Sequence, residues 1–418
     1  MITITVPLSE MCSFRHGGTP SKSNPEFWSG DIPWVSPKDM KTTLLLGAQD
    51  SITLKGVEGS ATSLVPTGSI LTVVRSGILA HSVPFALAGR PVTFNQDIKA
   101  IQVTDDRVTN DYVYWFLRSK EPEILARGVK KGATVHSLQS GFLEGLAIPI
   151  LPRTEQQRIV DLLSRTENIL CMRREAEQKA KEIIPALFLD MFGDPSTNPK
   201  GWKVRHLQTI TLAVIDCPHS TPKFAEEGVL CLRTTNLGIG NWQWSERRYV
   251  SEGDYLTRTA RGRLEVGDII ISREGTLGIG AIVRPEMRLC MGQRLVQIRA
   301  DSRVVTAEYL LWYLLDLLSP QSVEKHLAGS TSKHLNLSLL RTMAVPVPPL
   351  ELQERFAALT MEAQGLVESQ RQGLDNSQDT LQSLLAGVFG GGKRCDQNQR
   401  KSPSVSEHFP NEGGRANP

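Results

Sequence analysis

The pattern of apolar and polar residues changes character along each half of the chain. Short runs rich in β-branched residues, such as 70–74 and 269–271, are broken by Gly, Pro and Asn and predict strands joined by turns. From residue 154, and again near residue 356, apolar or small residues recur instead at the spacing of a coiled coil. The pattern therefore predicts a strand-rich domain followed by a long helix, and then both parts once more.

The two halves match each other at an offset of 197 residues. VTNDYVYWFL (108–117) matches VTAEYLLWYL (305–314), and both predict short helices with Tyr and Trp on one face. GATVHSLQSGFLEGLAIPILP (132–152) matches GSTSKHLNLSLLRTMAVPVPP (329–349). The same offset relates Gln96 to Gln293 and Gln156 to Gln353. Where residues 68–75 align with 267–273 the offset slips to 198 or 199, which a small insertion in a loop explains.

The two predicted helices carry similar, imperfect apolar seams. Each would span roughly 50 Å at 1.5 Å per residue, and Pro185 is expected to kink or end the first near its last turn. Because the seams are interrupted, we expect the helices to stabilise each other by pairing; the alternative is two amphipathic helices that each pack on their own domain. The predicted seam positions are Ile159, Leu162, Thr166, Ile169, Ala176, Ala180, Ile183 and Leu187 in the first helix, and Phe356, Leu359, Ala363, Leu366, Gln370, Gly373, Ser377, Thr380 and Leu384 in the second.

These elements predict an α+β fold class: two mixed α/β domains separated by two long antiparallel helices packed as a coiled coil, with a pseudo-twofold internal repeat. Two similar domains held apart in this way suit an object with two sites at a fixed separation, such as duplex DNA. Since the domains differ in detail, the predicted target is asymmetric and bipartite. The predicted segments are a first domain at 1–152, a helix at 153–192, a linker at 193–204, a second domain at 205–349, a helix at 350–390 and a disordered tail at 391–418.

The composition excludes several classes of protein. The formal net charge of +3 over 418 residues permits nucleic-acid binding without arguing for it. With no leader-like stretch and no apolar run of membrane-spanning length, we expect a cytoplasmic protein. The six cysteines form no CxxC pair, and the isolated pair of Cys217 and His219 is interpreted as a non-ligand. The sequence also lacks a GxxxxGK[ST] loop and a [DNS]PP[YF] tetrad, which argues against a motor or a methyltransferase.

Several sequence blocks resemble the specificity subunits of type I restriction-modification systems. They are GGTPSKSNPEFWSGDIPWVSPKDM (17–40), SILTVVRSGI (69–78), NQDIKAI (95–101), the block at 132–152 with the QQR that follows at 156–158, and LFLDMFGDP (187–195). Together they extend the likeness over about residues 8–390. The second half departs more, with CPHSTPKF (217–224) in place of the GGTPS-type opening, as expected of domains that read different bases.

The resemblance implies a non-catalytic DNA-binding subunit. In that family two target recognition domains alternate with two conserved helical regions, which bind two methyltransferase (modification) subunits, and the assembly recruits restriction/translocase subunits. Adenine-N6 methylation and endonuclease activity, with S-adenosylmethionine, ATP and Mg²⁺, would then belong to the partner subunits. Two alternatives stay open: a specificity protein of another restriction-modification type, and a free-standing DNA-modifying enzyme.

Candidate DNA contacts are polar and basic residues in the loops, because such side chains read base edges or hold phosphates. They are Arg15, His16, Thr19, Ser21, Lys22, Arg75, Thr134 and His136 in the first domain, and His219, Ser220, Thr221, Lys223, Arg233, Asn236, Arg273, Thr331 and Lys333 in the second. The alternative is a solvated turn for the loop residues, and a salt bridge for Arg75 and Arg273, which we place at the ends of matching strands. On the helices, Arg158 and Arg355 are candidate partner contacts, with a solvated charge as the alternative.

Overall fold

The computed structural model describes residues 4–319, 322 and 335–390, and the chain divides into two compact units. The first unit combines the described residues up to Arg174 with those from Gly373 onward, and the second runs from Glu175 to Gln372. Each unit therefore holds one strand-rich domain together with parts of both long helices. Thr331, Lys333 and the predicted tail at 391–418 lie outside the described residues.

The first unit is built around a five-stranded sheet in the order β2-β10-β6-β8-β4, with two three-stranded sheets, β11-β12-β7 and β5-β3-β9, and the pair β1-β13. Its strands are β1 (Thr5–Pro7), β2 (Cys12–His16), β3 (Trp28–Val35), β4 (Leu44–Leu45), β5 (Asp50–Ile52), β6 (Ile70–Val73), β7 (Arg75–Ser76), β8 (Phe85–Ala88), β9 (Thr93–Phe94), β10 (Ile98–Val103), β11 (Val129–Lys130), β12 (His136–Leu138) and β13 (Ala147–Pro149).

The second unit repeats this plan with four-stranded sheets in the orders β15-β22-β19-β20 and β16-β18-β17-β21, and the pair β14-β23. Its strands are β14 (Lys203–His206), β15 (Thr211–Asp216), β16 (Phe224–Ala225), β17 (Val229–Leu232), β18 (Tyr249–Val250), β19 (Ile269–Ser272), β20 (Gly280–Ile282), β21 (Leu289–Met291), β22 (Leu295–Ala300) and β23 (Ala344–Val347). Because β14 begins at Lys203, strand pairing starts inside the segment predicted to be a linker.

In each unit a short helix packs against two strands of the main sheet. The short helices Asn110–Ser119 and Ala307–Leu317 begin after Thr109 and Thr306, whose hydroxyls accept hydrogen bonds from the backbone N–H of Tyr112 and Tyr309. This confirms the two helices predicted from the repeated VT segments. The remaining helices are Leu8–Met11, Leu54–Glu58, Glu121–Glu123, Ser140–Glu144, Glu252–Arg258, Leu337–Thr342 and two of 40 residues each, Arg153–Phe192 and Leu350–Phe389, here called the first and second long helix.

Each long helix is fixed to the domain that precedes it by a fully buried glutamine. The Gln156 amide donates to the carbonyl oxygens of Arg107 (2.7 Å) and Leu151 (2.9 Å) and accepts from the N–H of Thr109 (3.2 Å). The Gln353 amide makes the same three bonds at positions 197 residues later, to Val304, Pro348 and Thr306. These bonds satisfy backbone groups that would otherwise be buried without a partner.

The far end of each long helix packs in the unit of the other domain. Phe389, near the end of the second long helix, contacts the rings of Tyr112 and Phe116 in the first unit. Phe192, at the end of the first, contacts the ring of Tyr309 in the second unit, with centroids 4.7 Å apart. Within the described residues each domain is therefore braced by the start of one long helix and the end of the other.

The predicted seam of the first long helix is wrong at three of its eight positions, whereas Ile159 and Ala180 are buried as predicted. Leu162, Ile169 and Ile183 are 39–45 % exposed, whereas the buried side chains lie one position later, at Leu163, Leu170 and Ile184. Leu163 and Leu170 belong to the core of the first domain and Ile184 to that of the second. The buried face of the helix is therefore set by packing on these globular cores and does not follow a strict heptad. In the second long helix Phe356 and Ala363 are buried as predicted, but Leu366 is exposed.

Pro185 was expected to kink or end the first long helix; the helix continues through it to Phe192, so it does not end there. A proline inside a helix costs about 3 kcal/mol. Burial of Ile184, Phe188 and Phe192 offsets that cost, since each such side chain contributes about 1.5–3 kcal/mol. Among the described residues no helix has both the length and the apolar character needed to cross a bilayer.

Candidate nucleic-acid interface

The opening loop of the first domain, residues 17–24, is polar at its surface and fixed from below. The indole N–H of Trp34 donates to the Gly18 carbonyl oxygen (2.9 Å) and that of Trp28 to the Ser21 carbonyl oxygen (3.0 Å). A side chain at Gly17 would meet the Asn95 carbonyl oxygen at 2.1 Å, so only glycine permits this close approach. The two tryptophans thus hold the backbone of the loop from below.

Polar side chains project from this fixed loop and from the strand before it. The Thr19 hydroxyl donates to Oε1 of Gln96 at 2.6 Å, and the Ser21 and Ser23 hydroxyls lie 2.8 Å apart. The five candidates of this region are all exposed: Arg15, His16, Thr19, Ser21 and Lys22. A rigid loop with exposed hydroxyls and a cation is the kind of surface that contacts base edges and phosphates.

The opening loop of the second domain, residues 217–223, is also fixed, but mostly by other groups. Nε2 of Gln293 donates to the His219 carbonyl oxygen at 2.6 Å. The buried Arg258 donates to the carbonyl oxygens of Ser220 (3.3 Å) and Met291 (2.9 Å). Cys217 is buried at the base of this loop, and that burial raises the pKa of its thiol, which stays protonated at neutral pH. The candidates His219, Ser220, Thr221 and Lys223 are exposed.

A small sheet beside the first loop brings further candidates together. In the register of β7, β12 and β11, Arg75 pairs with Ser137 and Ser137 pairs with Lys130. The three side chains therefore project from the same face of the sheet. All three are exposed. Lys130 and Ser137 were missed at the sequence level, because only the pairing of the strands places them beside Arg75. The row of Arg75, Ser137 and Lys130 has the cations and the hydroxyl suited to binding a phosphate.

His136 and Thr134 flank Val135, which lines a surface groove of the first domain. His136 pairs with Ser76, and its Nδ1 accepts from the Gly132 N–H at 3.1 Å, which leaves Nε2 as the donor of the ring. Gln96, Asp97 and Arg75 line this groove together with Pro37 and Val135. The structure thus gathers most candidates of the first domain around one groove and one loop.

Arg273 is not the counterpart of Arg75, which corrects the alignment of the two strands. The Leu138 N–H donates to the Val74 carbonyl oxygen (2.8 Å), and the Leu335 N–H, 197 residues later, donates to that of Arg273 (2.7 Å). Arg273 therefore occupies the position of Val74. Its side chain is only 11 % exposed and pairs with Asp216 at 2.6 Å, which favours the salt-bridge alternative over a phosphate contact.

The true counterparts at the groove carry opposite charges in the two domains. Arg75 corresponds to Glu274, and Asp97 corresponds to Arg294, because the N–H groups of Val74 and Arg273 bond to the carbonyl oxygens of Asp97 and Arg294 respectively. Glu274 and Arg294 form an ion pair with side chains 44 % and 59 % exposed. The cation thus lies in β7 in the first domain and just before β22 in the second.

Two further candidates of the second domain have structural environments. Asn236 is 1 % exposed, and its side chain bonds to the Arg233 N–H and to the carbonyl oxygens of Gln243 and Glu246. Asn236 cannot reach DNA from that position, because its side-chain amide is buried and its hydrogen bonds stabilise the turn. Arg233 is partly exposed and pairs with Glu246 at 2.9 Å.

The candidate partner contacts on the long helices are both exposed. Arg158 pairs with Glu155 one turn earlier, at 3.1 Å, and its side chain is 77 % exposed. Arg355, 197 residues later, is also exposed. Such surface pairs contribute little to stability, so Arg158 is available to a partner at small cost.

A family model described as "Type I restriction modification DNA specificity domain" matches residues 4–182 and 240–359. The chain belongs to this family. The match covers the opening loop of the first domain, whereas that of the second lies in the unmatched segment between the two matched ranges. Sequence recognition on DNA is therefore the role of this specificity subunit, in agreement with the resemblance found from its sequence blocks.

Individual relatives agree with the family. The chain is 42 % identical over 163 residues to the EcoR124I/EcoR124II specificity subunit of Escherichia coli, a match that covers 39 % of this chain and 40 % of that subunit. It is 23 % identical to the MjaIX specificity subunit of Methanocaldococcus jannaschii over 85 % of both chains. The crystal structure of the S subunit from M. genitalium shares the fold, with a TM-score of 0.55, 15 % identity and coverage of 93 % of this chain and 96 % of that one.

Proposed function

We propose that this specificity subunit recognises an asymmetric bipartite site on duplex DNA, with one half-site read by each domain. The observation that supports it is that both domains fix a polar loop at the same place in the same strand arrangement, yet present different residues there. Ser21 and Lys22 in the first loop and His219, Thr221 and Lys223 in the second are different sets of hydrogen-bonding groups. Two different sets of donors and acceptors select two different base sequences.

Phosphate contacts would hold the DNA in register while the loops read bases. In the first domain the row of Arg75, Ser137 and Lys130 supplies two cations and a hydroxyl. In the second, the exposed cation at the corresponding position is Arg294, which pairs with Glu274. This difference between the domains adds to the asymmetry of the target.

The two long helices would pair in antiparallel fashion and set the distance between the half-sites. Two contacts support this pairing. In the second unit the Phe188 and Phe192 rings of the first helix lie 5.6 and 5.3 Å from the Phe356 ring of the second. In the first unit Gly373 lies so close to Arg173 that an added Cβ would meet Nη1 at 2.2 Å. Because the residue number rises in one helix as it falls in the other, these contacts have the order of an antiparallel pair.

The exposed face of the first long helix would bind a methyltransferase (modification) subunit. Leu162, Ile169 and Met172 are 44–61 % exposed and fall on one side of the helix, the side that also carries Arg158. An apolar stripe with a flanking cation is suited to a protein partner. Catalysis would belong to the partners: methyltransferase subunits that bind S-adenosylmethionine, and restriction/translocase subunits that use ATP and Mg²⁺.

The test is to co-express this subunit with its modification subunit and to map methylated adenines by methylation-sensitive sequencing. We expect methylation within one asymmetric bipartite motif whose halves are separated by a fixed spacer. A chimera that carries the first domain of a relative should change one half of the motif only. Methylation that is indifferent to which specificity subunit is present would contradict the proposal.

A further inference from the structure

The same side chain anchors the opening loop in both domains, although the loops themselves differ. In the first domain Oε1 of Gln96 accepts from the Thr19 hydroxyl at 2.6 Å. In the second, Nε2 of Gln293 donates to the His219 carbonyl oxygen at 2.6 Å. The two glutamines are 197 residues apart and hence occupy the same place in the repeat. An amide side chain can meet both requirements, because it carries a donor and an acceptor.

The other anchors of the two loops are not shared. Trp28 and Trp34 hold the first loop, whereas Arg258 holds the second. The glutamine is therefore the anchor common to two loops that carry different surface residues. This is the arrangement expected if one position must keep a variable loop in a fixed place.

Each glutamine also adjoins the residues at which the two domains differ in charge. Gln96 precedes Asp97 and lines the groove with Arg75. Gln293 precedes Arg294, whose backbone has a φ of 67°, a left-handed conformation that is strained for a side chain of this kind. The glutamines thus connect the loop to the strand end that carries the groove cation or its partner.

We propose that Gln96 and Gln293 are positioning residues that fix the opening loop of their own domain, so that each controls base discrimination at one half-site only. The inference rests on the proposed function, since the loops must read DNA for their position to matter. It assigns no base contact to either glutamine. Loss of the anchor would let the loop sample other conformations, and the reading of its half-site would become less selective.

Substitutions of Thr19 and His219, the partners of the two glutamines, provide a second test of the proposal. Thr19→Val removes the hydroxyl that donates to Gln96 but keeps the shape of the side chain, whereas Thr19→Ser keeps the hydroxyl. In the second domain the acceptor is the backbone carbonyl of His219, so His219→Ala leaves the anchor in place and removes only the imidazole. Each loop can thus be altered with and without loss of its anchor.

The experiment uses the complete complex of this subunit with its modification subunit. Methylation rates are measured on duplexes that carry the intact site or one base change in the first or second half-site. For Gln96→Ala we expect the discrimination against changes in the first half-site to fall roughly tenfold, with that of the second half-site unchanged. Gln293→Ala should give the reverse. Gln49→Ala and Gln208→Ala, at exposed positions in the two domains, are the matched controls.

The anchor and its partner should act as one unit. Thr19→Val should reproduce the loss seen with Gln96→Ala, Thr19→Ser should not, and the double variant should be no worse than either single variant. If Gln96→Ala is not recovered folded, Thr19→Val tests the same bond. Equal changes at both half-sites, or none at either, would overturn the inference. A wild-type complex that discriminates at neither half-site would overturn the proposed function and the inference with it.

Discussion

Two arginines that look equivalent in the sequence have opposite environments in the structure. Arg75 is exposed on the face that it shares with Lys130, whereas Arg273 is nearly buried against Asp216. A solvated cation and a buried ion pair have different consequences when removed. The first affects association with a polyanion, and the second affects folding.

Arg75→Ala should weaken DNA binding by the complex without changing the stability of the subunit. We expect the slope of log K against log salt concentration to fall by about 1, because one phosphate contact is lost. Arg273→Ala should instead lower the free energy of unfolding by about 2 kcal/mol, since Asp216 is left largely buried without this partner. Salt titrations of binding and urea unfolding separate the two effects, with the exposed Arg303 as control. Identical salt slopes for Arg75→Ala and wild type would contradict this assignment.

The buried glutamines at the start of the long helices should be more important for stability than any surface pair. Gln156→Ala leaves three backbone groups without their partner, and we expect the free energy of unfolding to fall by about 2–3 kcal/mol. Gln353→Ala should act alike in the second unit. The neighbouring Gln157 is exposed and bonds only to Asp161, so Gln157→Ala should change stability by less than about 0.5 kcal/mol. Equal effects of Gln156→Ala and Gln157→Ala in urea unfolding would refute this role.

Among the elements, the long helices show which features the sequence pattern can predict and which it cannot. Their positions followed from the change of period, but at three positions of the first long helix the buried side chain lies one residue later than predicted. The sequence offers apolar side chains at both Leu162 and Leu163, and at both Ile169 and Leu170. Only contact with the strand-rich core decides which of each pair is buried. The apolar residues left outside form the stripe proposed here for a partner.

Lengthening both long helices should lengthen the spacer of the recognised site. Four residues inserted after Arg174 and four after Gln372, where the chain passes between its two units, add about 6 Å at 1.5 Å per residue. That is close to two base-pair rises. We expect unchanged half-sites with a spacer longer by one or two base pairs, as read by methylation mapping. An insertion in one helix alone should disturb their pairing and reduce the yield of complex; an unchanged spacer after the double insertion would mean that the helices do not set it.

At the scale of the whole molecule, each unit contains part of both long helices. The end of the second long helix belongs to the first unit, and the end of the first long helix belongs to the second. Phe389 and Phe192 are 6 % and 4 % exposed and pack on the equivalent tyrosines, Tyr112 and Tyr309. The stability of the first unit therefore depends on a residue far from its domain in sequence, and that of the second on the end of the helix that precedes its domain.

Truncating either phenylalanine should destabilise one unit selectively. Phe389→Ala removes a buried ring from the first unit and is expected to cost about 3 kcal/mol there, and Phe192→Ala the same in the second. Hydrogen exchange read by mass spectrometry should show faster exchange in residues 70–148 for the first variant and 269–318 for the second. Leu189→Ala, at a side chain 45 % exposed, is the control. Loss of protection in both units from either variant would show that they do not unfold separately.

The sequence by itself determined the duplication, the order of strand-rich and helical segments, the family and the loops that carry polar groups, because these depend on local pattern and on matching between the halves. The tertiary structure decided which residues share a surface. Strand pairing put Lys130 beside Arg75 and moved Arg273 onto the position of Val74, and burial removed Asn236 from the candidate contacts. Such facts depend on register and packing between residues distant in the chain, which no single stretch of sequence encodes.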